Sequence, residues 1–169
     1  TSFEQHGLRR KFDFIKHIGR NPFLKKQKDG SLRHETDLCA DAAIEFIQST
    51  PVGKPFCMSV SFNATHAEDN DHRPGFHFQW PESADGLYED VEIPAPELGD
   101  EKYFKAMPEF LQEADGLLRE RFFWRWDTPE KYQTNMRAYY RMITGIDNAI
   151  ERVLKVLEAK GLDHNTIVI

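Results

Sequence analysis

The sequence predicts an α/β fold in which helices flank a mostly parallel sheet, with only part of that sheet present in this chain. Three observations carry the prediction. Residues 56–62 alternate bulky Phe56, Met58, Val60 and Phe62 with small Cys57, Ser59 and Ser61, as in a strand packed by helices on both faces. A helical pattern precedes that strand and stops at Thr50-Pro51-Val52-Gly53. A much longer helical pattern begins near Thr128 and passes through Gly161 into a β-branched run, Thr166-Ile167-Val168-Ile169.

Composition narrows the partners. The 169 residues are 40% hydrophobic, enough to bury the core of one domain, yet the closing run reads as a strand that has only begun. The sequence is therefore expected to be an internal segment, whose first partner is the remainder of its own polypeptide. A formal net charge of -6 argues against nucleic acid, which needs a basic footprint. No apolar run approaches the roughly 20 residues that span a bilayer, so no membrane partner is expected, and no signal peptide opens the sequence. The two cysteines, Cys39 and Cys57, form no disulfide framework or Cys-x-x-Cys site and read as small buried hydrophobes. The histidines lack the i,i+4 spacing of a zinc site, so no metal site is expected in this chain.

Taken in order, residues 1–33 form a basic, irregular segment with Asp29-Gly30 as a turn. Residues 34–66 form a helix–strand unit. Thr36 or Asp37 can cap its helix, Leu38, Cys39, Ala42, Ala43, Phe46 and Ile47 form the apolar stripe, and Asp41 and Glu45 the solvated face. Pro55 suits the first position of the strand, because it cannot donate to a ladder. The strand ends in a polar turn carrying His66, where ligands collect in open α/β sheets.

Residues 67–127 form a long, loop-rich excursion. Phe76, Phe78, Trp80 and Tyr88 give it surface to bury, so it is expected to be ordered and to lie over or beside the His66 end of the sheet. Asp69, His72 and Arg73 have two readings there, contacts to a polar substrate or plain surface charge. Asp100 can cap a short helix that Pro108 interrupts or restarts. In residues 119–126 arginines interleave with aromatics. Arg125 and its neighbours can fork onto a carboxylate or sulfate of an anionic carbohydrate, or the segment can anchor by packing while its arginines snorkel outward.

Residues 128–169 form the long helix and the closing strand. Thr128 is the N-cap and Pro129 the first helical residue. Tyr132, Met136, Tyr139, Ile143, Ile146, Ile150, Val153 and Leu157 recur at helical spacing, with a bend expected near Gly145. The closing strand is expected to pair with the first directly or through one neighbour.

Two stretches carry a family resemblance. Lys54-Pro55-Phe56, the strand, Ser61-Phe62 and the turn bearing His66 resemble the central strand of the type I sulfatases, in the alkaline-phosphatase-like superfamily. Tyr139-Tyr140-Arg141-Met142-Ile143-Thr144-Gly145-Ile146-Asp147, continuing to Lys160-Gly161-Leu162-Asp163 and the final strand, is similar to the same family. The resemblance implies part of an alkaline-phosphatase-like sandwich within a sulfuric ester hydrolase, acting on a sulfated small molecule or glycan such as 6-sulfated N-acetylglucosamine. It also implies calcium and a formylglycine made within Cys/Ser-x-Pro-x-Arg, and a bacterial, periplasmic or secreted enzyme. No such motif surrounds Cys39 or Cys57, so nucleophile and metal ligands are expected outside this chain, which alone should be inactive.

What the resemblance transfers is His66, a histidine that contacts the sulfate or protonates the leaving group, although the prolines that commonly flank it are absent. Tyr139, Tyr140 and Asp147 match without an assigned role. Two alternatives stand: a phosphodiesterase or phosphomutase of the same superfamily, and a non-catalytic module binding an anionic glycan or a protein. Asn63-Ala64-Thr65 is a formal glycosylation sequon, expected to be unmodified because a glycan would crowd His66.

Overall fold

A computed structural model describes residues 7–73 and 75–169 of the protein; the first six residues of the basic segment and Pro74 lie outside the described residues. A short 3-10 turn, Leu8–Lys11, leads to a hairpin of β1 (Leu24–Lys26) and β2 (Leu32–His34). There follow α1 (Glu35–Ser49), a long irregular stretch with one 3-10 turn at Glu82–Ala84, and the short α2 (Glu101–Lys105) and α3 (Glu109–Gln112). The chain closes with α4 (Leu117–Arg125), α5 (Pro129–Ala159) and a 3-10 turn, Asp163–Asn165.

The hairpin lies in the segment expected to be irregular. β1 and β2 are antiparallel, with Lys25 opposite Arg33. Its turn is the anticipated Asp29-Gly30: Gly30 takes φ +89°, and Asp29 Oδ1 accepts from Ser31 N at 3.0 Å and Ser31 Oγ at 2.7 Å. Lysines obscured the strand in the sequence, because an isolated ribbon carries charge on its edges.

β2 runs directly into α1. The helix starts earlier than the sequence predicts, because His34, not Thr36 or Asp37, is the N-cap: its Nδ1 accepts from Thr36 N at 3.2 Å. Its Nε2 donates to Gln79 O at 2.9 Å, which fixes the tautomer. Burial pushes the His34 pKa down, keeping Nδ1 free of a proton for this task. Within α1, Ala42, Ala43 and Ile47 are buried as expected. Asp41 is not simply solvated: it pairs with both Arg33 and Arg152, tying β2, α1 and α5 together. Lys160 Nζ reaches the last carbonyls of α1, Ile47 O at 2.9 Å and Gln48 O at 3.0 Å, where a cation offsets the helix dipole.

The α/β architecture is incomplete, as the sequence implies. Residues 56–62 keep their strand period, with Phe56, Met58, Val60 and Phe62 half-buried and Cys57, Ser59 and Ser61 exposed. They are nevertheless unpaired, and the only sheet among the described residues is the β1–β2 hairpin. Residues 166–169 are likewise extended and unpaired, so the expected pairing between these two segments is not made. The alternation fixes which side chains share a face, but a strand exists only when a neighbour takes up its backbone groups. Cys57, expected to be buried, is exposed for the same reason.

α5 begins as its sequence predicts, with Thr128 Oγ1 accepting from Lys131 N at 3.2 Å and Pro129 in the first turn. Its 31 residues run unbroken for about 45 Å. The buried face differs from the expected bulky stripe. Ala138, Met142, Gly145, Ala149 and Leu157 are buried, whereas Ile143 and Ile150 are exposed. Small residues are buried where neighbours come close: α1 packs along this helix, Phe23, Ala67 and Phe78 gather at Ala138 and Met142, and Pro81 lies against Gly145, while the loop after residue 80 takes an adjacent face. That loop descends antiparallel to α5: Tyr88 Oη meets Thr144 Oγ1 at 2.8 Å, and Leu87 O accepts from Arg141 Nε at 2.7 Å. Further down, Val91 O accepts from Arg137 Nε at 2.9 Å, and Ile93 exchanges hydrogen bonds with the Gln133 amide at 3.0 and 2.7 Å.

Gly145 is thus a contact rather than a bend. A Cβ there would overlap the Pro81 ring, with Pro81 Cδ at 2.6 Å. Alanine would gain about 1 kcal/mol of helix propensity, but overpacking against a rigid ring costs about 1–3 kcal/mol or more. Gly145→Ala is therefore expected to lower the midpoint of chemical denaturation, and an unchanged or raised midpoint would show that Pro81 yields freely. The core beside this contact gathers Phe23, Ala67, Phe78, Ala138 and Met142, with Trp80, Trp126 and Tyr139 packed around it.

Candidate functional site

The turn after the extended segment presents His66. Its backbone N donates to Asn63 O at 2.9 Å, closing the turn, and its Nδ1 donates to Ala67 O at 2.7 Å. Nε2 is then the nitrogen left for a ligand, on a side chain that is exposed. Ala67 anchors the turn in the core, and Glu68, buried beside it, donates its backbone N to His77 O at 2.7 Å.

Behind the turn stands a residue that the sequence did not single out. Glu35, in the first turn of α1, is fully buried, and Oε1 accepts from Asn63 N at 3.0 Å and Ala64 N at 3.1 Å. Oε2 accepts from Asn63 Nδ2 at 3.1 Å, so the sequon nitrogen is already engaged. An acid in the first turn of a helix reads in sequence as a partner of the helix dipole, which conceals such a task.

Asp69, His72, Arg73 and Arg125 are distributed unevenly. Asp69 and Arg125 come together, and Arg121, one turn earlier on α4, joins the same carboxylate at 2.8 Å. Burial pushes the Asp69 pKa up, but the Arg125 hydrogen bond and the charges of Arg125, Arg121 and His66 outweigh it, so the net shift is down. His66 is thus within electrostatic reach of this cluster. Arg125 is 6% exposed, with its guanidinium between the Phe78 and Trp124 rings at 5.9 and 5.8 Å from their centroids.

The other two candidates have partners other than Asp69. His72 packs on Trp124, ring centroids 4.3 Å apart. Arg73 binds Asp71 through Nε at 2.8 Å and its terminal nitrogen at 2.5 Å, and it covers the Phe76 ring at 4.0 Å. That fork holds the Asp71 pKa down at about 2.

α4 therefore inverts the outward-snorkelling arrangement. Arg121 and Arg125 turn inward to Asp69, while Leu118, Phe122 and Phe123 face out. His77 completes the interior, stacked parallel to Trp124 at 6.0 Å, with its pKa lowered by burial and by the Arg125 charge. Chemically, the arrangement offers one accessible imidazole on a turn held from behind by the Glu35 carboxylate, with an Arg–Asp–Arg cluster within electrostatic reach.

No curated protein and no solved structure matches the chain. The sulfatase family model matches residues 2–169, nearly the full length, and includes the His66 turn, the Asp69 cluster and both long helices. The chain therefore belongs to the sulfatase family.

Proposed function

We propose that the chain is part of a sulfuric ester hydrolase acting on sulfated carbohydrate, in which His66 serves the leaving oxygen. The observation that carries this reading is the His66 turn. With Nδ1–H held by Ala67 O, the ring is a proton donor only as the imidazolium, and the proton it delivers is the one on Nε2. As the S–O bond breaks, that proton passes to the ester oxygen, and the sugar departs as an alcohol rather than an alkoxide. Arg121, partly exposed at the rim of the Asp69 cluster, adds positive charge near an incoming sulfate.

The family's calcium and formylglycine do not fit the residues present. Calcium takes six to eight oxygen ligands, commonly from several carboxylates. Among the described residues no group of three or more His, Cys, Asp or Glu side chains converges as a metal site. The carboxylates around the His66 turn are already committed, Asp69 and Asp71 to arginines and Glu35 and Glu68 to amides. Neither cysteine lies in Cys-x-Pro-x-Arg. Both groups are assigned to other parts of the full-length protein, and with them the sulfur-attacking step.

The substrate is proposed to be a sulfated sugar of the 6-sulfated N-acetylglucosamine type. The test offers the full-length protein that sugar, an aryl sulfate and an aryl phosphodiester in parallel. Sulfate release from both sulfate esters, with the phosphodiester turned over far more slowly, is expected. Preferred hydrolysis of the phosphodiester would move the protein to the phosphodiesterase reading.

A further inference from the structure

We infer that Glu35 is a positioning residue for His66, its buried carboxylate clamping the Asn63–Ala64 turn from behind; the inference rests on the sulfatase reading above. Glu35 is 0% exposed, and no lysine or arginine pairs with it among the described residues. A buried carboxylate without a cation must be compensated by hydrogen bonds. Two backbone amides and one side-chain amide of the turn supply them. Thr36 Oγ1 at 3.5 Å and Cys39 Sγ at 3.6 Å add weaker donors from its own helix.

The dependence runs both ways. Asn63 and Ala64 lie at the end of an extended segment that has no ladder partner among the described residues, so without Glu35 these amides lose their acceptor. Asn63 O is in turn the acceptor for His66 N at 2.9 Å. The path from carboxylate to imidazole is Glu35, Asn63, His66, with each link a hydrogen bond. An acid that served only the dipole of α1 would sit in solvent at the helix start. Glu35 instead reaches a turn 28 residues away in sequence. Cys39 can serve as a donor to Glu35, because burial and then the Glu35 charge push its thiol up to about 12 and keep it protonated.

The test uses the full-length protein and two variants, Glu35→Ala and Glu35→Gln, with two readouts. Turnover of an aryl sulfate gives kcat and KM separately, and hydrogen exchange followed by mass spectrometry reports the peptide containing Asn63 and Ala64. In Glu35→Ala that peptide is expected to exchange at least about tenfold faster, while the Ala138–Met142 region of α5 keeps its protection. kcat is expected to fall about 100-fold with KM within about twofold, as for a displaced catalytic group.

Glu35→Gln is expected to recover most of the loss. Its oxygen can accept both backbone amides, and the Asn63 amide can rotate to accept from its nitrogen. Unchanged exchange at the turn in both variants overturns the inference, as does faster exchange with wild-type kcat. Loss of protection throughout α5 in both variants would assign Glu35 to global stability and overturn it too. A wild-type protein that releases no sulfate sinks the sulfatase reading alone, and exchange at the turn then decides whether Glu35 holds it.

Discussion

Replacing His66 with alanine in the full-length enzyme is expected to lower kcat on a sugar sulfate by about 10²–10⁴-fold, with a much smaller effect on KM. The size follows from the leaving group. An alkoxide departs poorly without a proton, and a positioned donor provides that proton during bond cleavage rather than after it. The proposed role falls to Nε2, since Nδ1 is committed to Ala67 O. Because the side chain is exposed and outside the core cluster, the substitution should leave the unfolding midpoint nearly unchanged. A large stability loss with unaltered kcat in the surviving folded enzyme would mark His66 as structural.

Arg125→Ala is expected to produce the largest stability effect, about 3–5 kcal/mol, because it removes one partner of a largely buried ion pair. Asp69 would be left to Arg121 alone, and the space between Phe78 and Trp124 would empty. Arg125 also ends α4, where its backbone oxygen accepts from Asn135 Nδ2 at 3.0 Å, so disorder there would reach α5. Arg125→Met retains the stem and should cost less than alanine, with the difference measuring packing rather than charge.

The pair also has a pH signature. The Asp69 pKa is lowered in the folded state, so its contribution is present above the ordinary value of 3.8 and is lost as pH falls through the depressed value. Chemical denaturation at neutral pH and at about pH 3 should therefore show wild type losing more stability on acidification than Arg125→Ala. Equal losses would mean that the pair contributes little.

Local signals gave the starts of α2 and α5, but not α4, which lies in the stretch read as loop-rich. Thr128 with Pro129, Asp100 and the alternation of residues 56–62 are visible because caps and periods are written within a few residues. What escaped depends on distant partners. The buried face of α5 is set by α1, by Phe23, Ala67 and Phe78, and by Pro81, all distant in sequence, so Gly145 reads as a bend although it is a close contact with Pro81. Arg125 looked like an outward cation because Asp69, its acceptor, is 56 residues away. The position of His66 at a turn after an extended segment was legible from the alternation before it, while the role proposed for it comes from family resemblance. Glu35 was not legible, since nothing in Glu35-Thr36-Asp37 distinguishes an acid aimed at a turn from one that faces water. The β1–β2 hairpin was missed because Lys25, Lys26 and Arg33 break up the apolar pattern of its three residue pairs.

The most direct measurement of the central claim is the loss caused by His66→Ala on two sulfate esters differing in leaving group, a sugar sulfate and a nitrophenyl sulfate, with full-length enzyme. Proton donation by His66 requires a far larger fall in kcat/KM for the sugar, whose alkoxide needs the proton, than for the nitrophenolate, which leaves without it. Equal losses on the two esters, or none on either, would contradict the assignment.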